Sequence, residues 1–72
     1  KKSGYKSGFP DLFIYEPRGQ YCGLAIELKV GYNKASKKQK DWIDQLNKRN
    51  YCAMVCNGWN ETIKTIDKYL GL

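Results

Sequence analysis

The sequence predicts an α/β fold, in detail an α+β arrangement about a mixed sheet, with elements in the order strand, strand, helix, strand, helix. Three observations carry that reading. Leu24, Ile26, Leu28 and Val30 alternate with Ala25, Glu27 and Lys29, the period of two that gives a strand one greasy and one charged face. Ser36, followed three residues later by Gln39, has the form of a capping box at the head of a helix. Residues 51–57 are apolar on both alternating faces and are broken by Asn57-Gly58, as a buried strand before a turn would be.

In chain order, residues 1–8 hold lysine, serine, glycine and tyrosine without apolar periodicity and read as a basic arm or loop. Phe9-Pro10 opens a short strand over residues 11–15, with proline at the strand's start, where its missing N–H is tolerated. Residues 16–20, Glu-Pro-Arg-Gly-Gln, form a turn, and the second strand covers residues 21–30. After the loop at residues 31–34, the Ser36-capped helix runs to Asn50, with Trp42, Ile43 and Leu46 as its apolar stripe and Lys40, Asp41, Asp44 and Lys48 outside. The third strand, residues 51–57, is expected in the interior of the sheet. A last helix starts at Trp59 or Asn60 and ends at Leu70, with Ile63, Ile66 and Leu70 facing the core and Gly71 as terminator.

At 8.3 kDa the 72 residues make a single domain, residues 1–72, and exclude a two-lobed architecture. Thirteen basic against seven acidic residues leave a net charge of +6. That balance favours a polyanionic partner, nucleic acid ahead of an acidic membrane surface. Residues 1–40 hold nine basic and three acidic side chains and the remainder four of each, so the basic surface belongs to the first half. With no histidine, Ser-His-Asp and Cys-His nucleophile systems, histidine-ligated zinc and imidazole acid–base chemistry are excluded. Cys22, Cys52 and Cys56 lack zinc spacing and are expected to be buried thiols in a reducing compartment. No apolar run reaches the length of a transmembrane helix and no leader precedes the first motif. The expectation is an intracellular protein, cytoplasmic or nuclear, with no membrane partner.

One register of a hairpin about residues 16–20 sets Asp11 directly opposite Glu27, and neighbouring registers set them diagonal. Opposed Cβ atoms lie about 5 Å apart, where like charges destabilise the pair. A divalent cation reverses the sign of that interaction, because Mg²⁺ takes one or two carboxylates and keeps several waters for a phosphate. Lys29, two residues on from Glu27, shares its face. This trio suits metal-assisted phosphodiester hydrolysis, with Asp11 and Glu27 as ligands and Lys29 positioning the water or neutralising developing charge. The plain alternative is an exposed Glu27–Lys29 ion pair worth about 0–1 kcal/mol.

Gly8-Phe9-Pro10-Asp11, then Glu27-Leu28-Lys29, then Ser36 and Gln39 opening a helix with Trp42, together resemble the VRR-NUC branch of the PD-(D/E)XK nucleases. The match extends from Tyr5 to Leu70. The resemblance implies a restriction-endonuclease-like PD-(D/E)XK core and Mg²⁺- or Mn²⁺-dependent cleavage of DNA. Through it, Asp11 and Glu27 match the family's metal-binding acids, with the main-chain carbonyl of Leu28 as a further ligand. Lys29 matches the catalytic lysine, and Gln39 a glutamine often found at the start of the following helix. A compact homodimer is also implied, whose paired sites suit symmetric cleavage of a four-way junction. The family's core usually has a helix before the Pro-Asp strand, sometimes lending an acidic residue. Residues 1–8 contain no acid, and that N-terminal helix is expected to be missing.

Lys37 and Lys38 occupy the first helical turn, where the macrodipole disfavours cations and welcomes anions, which suggests phosphate contact. With Ser36, Lys34 and Lys40 nearby, and Lys6 beside Lys1 and Lys2 on the arm, they read as a basic rim for a nucleic-acid backbone. The alternative is a solvated lysine face. Tyr5 and Tyr32 either stack on unpaired bases or pack locally. Gln39 has a competing role as the capping partner of Ser36. Trp42 and Trp59 are assigned to the core or an interface, and Cys52, Met54 and Cys56, alternating along one strand face, to packing. Lys6-Ser7 after Gly4-Tyr5 lacks the glycine spacing of a phosphate loop.

The function expected is a metal-dependent endodeoxyribonuclease, structure-selective for four-way junctions, flaps or branched DNA, in DNA repair, recombination or the processing of phage or viral DNA. A non-catalytic nucleic-acid-binding module of the same fold is the main alternative, distinguished by salt dependence without metal dependence. A structural or interaction domain whose charges merely solvate is the third.

Overall fold

The computed structural model describes residues 8–72. Strands β1 (Leu12–Ile14) and β2 (Leu24–Lys29), helix α1 (Lys37–Lys48), strand β3 (Cys52–Asn57) and helix α2 (Gly58–Leu70) follow the predicted order. The sheet runs β1-β2-β3, with β1 antiparallel and β3 parallel to β2. A parallel pair needs a crossover connection, and α1 supplies it. The result is a small α+β domain with a mixed three-stranded sheet.

In the hairpin, Leu12 pairs with Ile26, Phe13 with Ala25 and Ile14 with Leu24. Extended one residue beyond β1, this register sets Asp11 opposite Glu27, the direct rather than the diagonal arrangement. Both strands are shorter than the sequence suggests. Residues 21–23 leave the β1–β2 ladder: Tyr21 exchanges both main-chain hydrogen bonds with Arg18, closing a tighter turn than the one expected at residues 16–20, Cys22 donates its N–H to the Asn50 carbonyl, and the Gly23 carbonyl accepts from Cys52. Gly23 sits so close to β1 that a Cβ there would lie 2.8 Å from the carbonyl oxygen of Ile14.

Helices cover the sheet on both sides, a layered arrangement that gives each face something to bury against. Toward α2 point Leu24, Ile26 and Cys56, with Ile66 and Tyr69 of the helix packed on them. Toward α1 point the small residues Ala25 and Ala53, which leave room for Phe13, Trp42, Ile43, Leu46 and Tyr51.

The central strand is β2, not β3. The expectation of an interior third strand mistook two-sided helix cover for flanking strands: Ala53 and Cys56 are buried beneath the helices, while Val55 remains 38% exposed. The outer edge of β3 is closed at one point by Asn47, whose side chain accepts from the Ala53 N–H at 2.9 Å and donates to its carbonyl at 3.0 Å. Such cover blunts an edge that would otherwise recruit another strand.

Helix α1 begins with the full capping box at Ser36 and Gln39. Helix α2 stops at Gly71 as expected, yet its buried face is rotated. Thr62 is fully buried, and its hydroxyl donates to the Gly58 carbonyl at 2.9 Å, so a polar residue satisfied within its own helix takes the core position. Ile63 is 51% exposed and Trp59 60% exposed, which overturns Ile63 as a stripe residue and a core role for Trp59. Cys22 is exposed, Cys52 half-buried and Cys56 buried, all three free. The expectation of three buried thiols therefore holds only for Cys56: Cys22 precedes the ladder and is exposed, and Cys52 is half-buried. Among the described residues no helix is long and apolar enough to cross a membrane.

Candidate metal and nucleic-acid site

The site is assembled at the end of β2 where α1 begins. Gly8 has a φ of +87°, and a Cβ there would fall 2.9 Å from the Lys38 main chain, so only glycine lets the chain turn this closely past the first turn of α1. The Phe9 ring then meets Trp42 edge-on with centroids 5.0 Å apart, and Pro10 is buried. Together they fix the entry of Asp11 toward β2. There Asp11 Oδ2 accepts the Leu28 N–H at 3.0 Å, so the aspartate side chain satisfies a strand donor just beyond the end of β1.

Glu27 lies on the α1 side of β2 and is only 3% exposed. Gln39 Nε2 donates to Glu27 Oε2 at 3.0 Å, and the Gln39 Oε1 atom accepts the Ser36 N–H at 2.8 Å. Lys29 Nζ lies 3.4 Å from the same Glu27 Oε2, with its side chain 18% exposed. The other oxygen, Glu27 Oε1, is buried and accepts no hydrogen bond among the described residues.

Burial holds the Glu27 carboxyl above its ordinary value, Asp11 raises it further by its charge and by a side-chain hydrogen bond to the protonated form, and the Lys29 ammonium works in the opposite sense, so Oε1 lacks a partner when Glu27 is ionised. A buried acceptor without a partner costs about 1–3 kcal/mol. Lys29 offsets part of the charge but leaves Oε1 unsatisfied. A hard divalent cation fits this donor set, since it would coordinate the orphaned oxygen and neutralise the opposed carboxylates. No cluster of three or more acidic, cysteine or histidine residues placed to hold a metal occurs among the described residues, and residues 1–7 contain no acid. Asp11 and Glu27 are therefore the carboxylates available here, a number Mg²⁺ accepts alongside water.

Of the residues expected to act together, Asp11, Glu27, Lys29 and Gln39 converge. The Glu27–Lys29 pair is largely buried, so the solvent-exposed ion-pair alternative does not describe it. Leu28 contributes its N–H to Asp11, a bond the sequence reading missed although the hairpin register contains it. Lys34, Lys38 and Lys40 are exposed. Lys37 pairs with Asp41 at 3.2 Å, and the Ser36 hydroxyl accepts the Gln39 N–H at 3.2 Å. Tyr32 is exposed. The expectations for Lys1, Lys2, Tyr5 and Lys6, and for the missing N-terminal helix, concern residues outside those described. Asn47 was also missed, because nothing in its position along α1 signals a partner on β3.

A concavity of about 510 Å³ lies on the α2 side of the sheet, lined in part by Arg18, Tyr21, Leu24, Met54, Lys68 and Tyr69. Its lining contains no carboxylate and reaches β2 at Leu24, the opposite end of the strand from Lys29. The titratable groups with opposed demands lie at the acid pair, and that is where reaction chemistry is to be sought.

The family described as VRR-NUC domain matches residues 1–60. A solved structure named "VRR_NUC domain protein" is similar with a TM-score of 0.90 and 44% sequence identity, over 96% of this chain and 57% of that one. The chain thus spans little more than half the length of that protein. No curated protein matches the sequence.

Proposed function

The chain belongs to the VRR-NUC family, a nuclease-type family whose substrate is DNA, and on that premise we propose that it is a Mg²⁺- or Mn²⁺-dependent endodeoxyribonuclease with a PD-(D/E)XK core. The observation that carries the proposal is the buried, unbonded Oε1 of Glu27 beside Asp11. A domain this small has little stability to spare for an unsatisfied acid, so a cation ligand accounts for a buried acid here better than packing does.

Asp11, Glu27 and the Leu28 carbonyl would hold the cation. Its contribution when bound is Lewis acidity toward the scissile phosphate. The residues supply the remainder. The Leu28 N–H fixes the Asp11 carboxylate, and Gln39 fixes one oxygen of Glu27. Lys29, an ammonium with three donors, orients the attacking water and offsets negative charge as the phosphate is attacked. Lys34, Lys38 and Lys40, together with Lys37 and Ser36 at the head of α1 and Lys6 on the arm, would grip the DNA backbone. Lysine contacts of this kind read shape and charge rather than base sequence. This favours structure-selective cleavage of four-way junctions, flaps or other branched DNA, and a homodimer would present two such sites.

Cleavage of end-labelled single-stranded, duplex, flap and four-way-junction DNA, with Mg²⁺, Mn²⁺ or chelator, tests the proposal against Lys29→Ala. Metal-dependent cutting that is lost in the variant is the expected result. Salt-sensitive binding by folded protein with no cutting under any condition would instead assign a binding module.

A further inference from the structure

Two donors converge on one oxygen of Glu27 and none on the other. Gln39 Nε2 and Lys29 Nζ both reach Oε2, at 3.0 and 3.4 Å, while Oε1 is left unbonded among the described residues. The two oxygens of this carboxylate are thus made unequal. Lysine alone does not fix that difference, since its ammonium is a compact charge on a flexible stem. The directional contact comes from Gln39.

A primary amide can present either its nitrogen or its oxygen to a neighbour, because the two ends have nearly the same shape and opposite hydrogen-bonding character. Only the nitrogen suits Glu27. The choice is made at the other end of the amide, where Gln39 Oε1 accepts the main-chain N–H of Ser36 at 2.8 Å. A flipped amide would set its NH₂ against that N–H and its oxygen against the Glu27 carboxylate, two repulsive contacts in place of two hydrogen bonds. The Ser36 hydroxyl accepts the main-chain N–H of Gln39 at 3.2 Å, and so holds the backbone from which that amide projects.

In many capping boxes the third helical residue serves only the helix terminus. Here the Gln39 side chain continues past the cap and bonds a residue of β2 twelve positions earlier in the chain. The bonds that start α1 also orient the carboxylate. We infer that the Ser36 hydroxyl makes this residue a positioning residue: by holding the Gln39 main chain it keeps the Gln39 amide where the Ser36 N–H fixes its orientation, so that Nε2 ties down Glu27 Oε2 and leaves Oε1 as the cation-facing atom. This rests on the metal-nuclease reading, and it gives Ser36 a task in addition to the phosphate contact proposed above.

Ser36→Gly separates positioning from helix stability, because glycine caps a helix nearly as well as serine but has no hydroxyl. Ser36→Thr restores the hydroxyl. Metal affinity is read by titrating Mn²⁺ and following the free ion by electron paramagnetic resonance. Gln39 orientation is read without metal, from the two side-chain amide protons in ¹⁵N-resolved NMR spectra. In the glycine variant Mn²⁺ binding should weaken about tenfold, within the range for residues that orient a metal ligand. Its Gln39 amide protons should exchange faster with solvent, while helix content by circular dichroism stays constant. Ser36→Thr should recover both. If the wild type binds Mn²⁺ and the glycine variant changes neither readout, the Ser36 assignment is overturned while the nuclease reading stands. If the wild type neither binds Mn²⁺ nor cuts DNA, the metal reading falls and the assignment falls with it.

Discussion

The two faces of β2 are built from alternate residues of one six-residue strand, yet they follow opposite rules. Toward α2, Leu24 and Ile26 are fully buried among apolar partners. Toward α1, the strand starts with the equally buried Ala25 and ends in Glu27 and Lys29, with an acid that lacks a partner for one oxygen. Burial of a hydrocarbon needs only close contact, whereas burial of a carboxylate needs a partner for each oxygen. The first face therefore stabilises the domain as it stands, and the second has a cost that a ligand would remove. A strand that served only the fold would not carry both.

The largest effect belongs to the satisfied face. Ile26→Ala should cost about 2–5 kcal/mol, enough to leave much of so small a domain unfolded. Ile63→Ala, at a half-exposed position of α2, should cost about 1 kcal/mol at most. Equal losses by denaturant titration would contradict the orientation of α2 and restore the stripe expected from the sequence.

Next comes the unsatisfied face. Lys29→Ala should lower the rate of DNA cleavage about 10²–10³-fold, the range for removing one group that stabilises developing charge, with circular dichroism showing the fold retained. A variant that cuts at the wild-type rate would remove Lys29 from the chemistry and leave it as the counter-ion of Glu27.

The asymmetry between the faces also explains which parts of the molecule were legible in the sequence. Element order, the Ser36 capping box and the Gly71 stop depend on local signals, and all three stand in the structure. The Asp11–Glu27 opposition depended on one register among neighbours, and the structure adopts it across a connection longer than the turn expected at residues 16–20, with Arg18 and Tyr21 paired inside it. Longer-range relations were not legible. Periodicity cannot distinguish a strand covered by two helices from one flanked by two strands, so β3 was placed in the interior. The buried face of α2 was misjudged because Thr62 satisfies its hydroxyl within the helix, which counting apolar residues does not detect. Gln39 could be read as a capping residue or as a site residue. Its amide does both, one end at Ser36 and the other at Glu27.

A third, smaller effect tests the cost ascribed to Glu27. Its carboxyl titrates above the ordinary value, chiefly through burial and then through Asp11. A group that holds its proton more tightly folded than unfolded contributes stability that is fully present below its unfolded value and is lost as pH rises through the folded one. Metal-free protein should therefore lose stability as pH climbs from the usual carboxylate range through the raised folded value. Glu27→Gln removes that decline and should raise metal-free stability at neutral pH by about 1–3 kcal/mol, the scale of an unsatisfied buried polar group. Saturating Mn²⁺ should suppress the decline in the wild type, because it binds the ionised form. Thermal melts across pH with chelator decide the matter, and parallel curves for wild type and variant would show that Glu27 carries no such penalty.

The smallest stability effect lies outside both faces, at the head of α1. Lys37 is exposed and pairs with Asp41 one helical turn along, and such i,i+4 pairs contribute about 0.5 kcal/mol or less. Lys37→Ala should leave the melting transition nearly unchanged. If Lys37 also contacts a phosphate, the same substitution weakens DNA binding at low salt and reduces the slope of log affinity against log salt by about one. A slope identical to wild type would confine Lys37 to its pair with Asp41 and shift the burden of backbone binding to Lys34, Lys38 and Lys40. Because the substitution barely touches stability, a change in salt slope would report contact with the polyanion rather than damage to either face of β2.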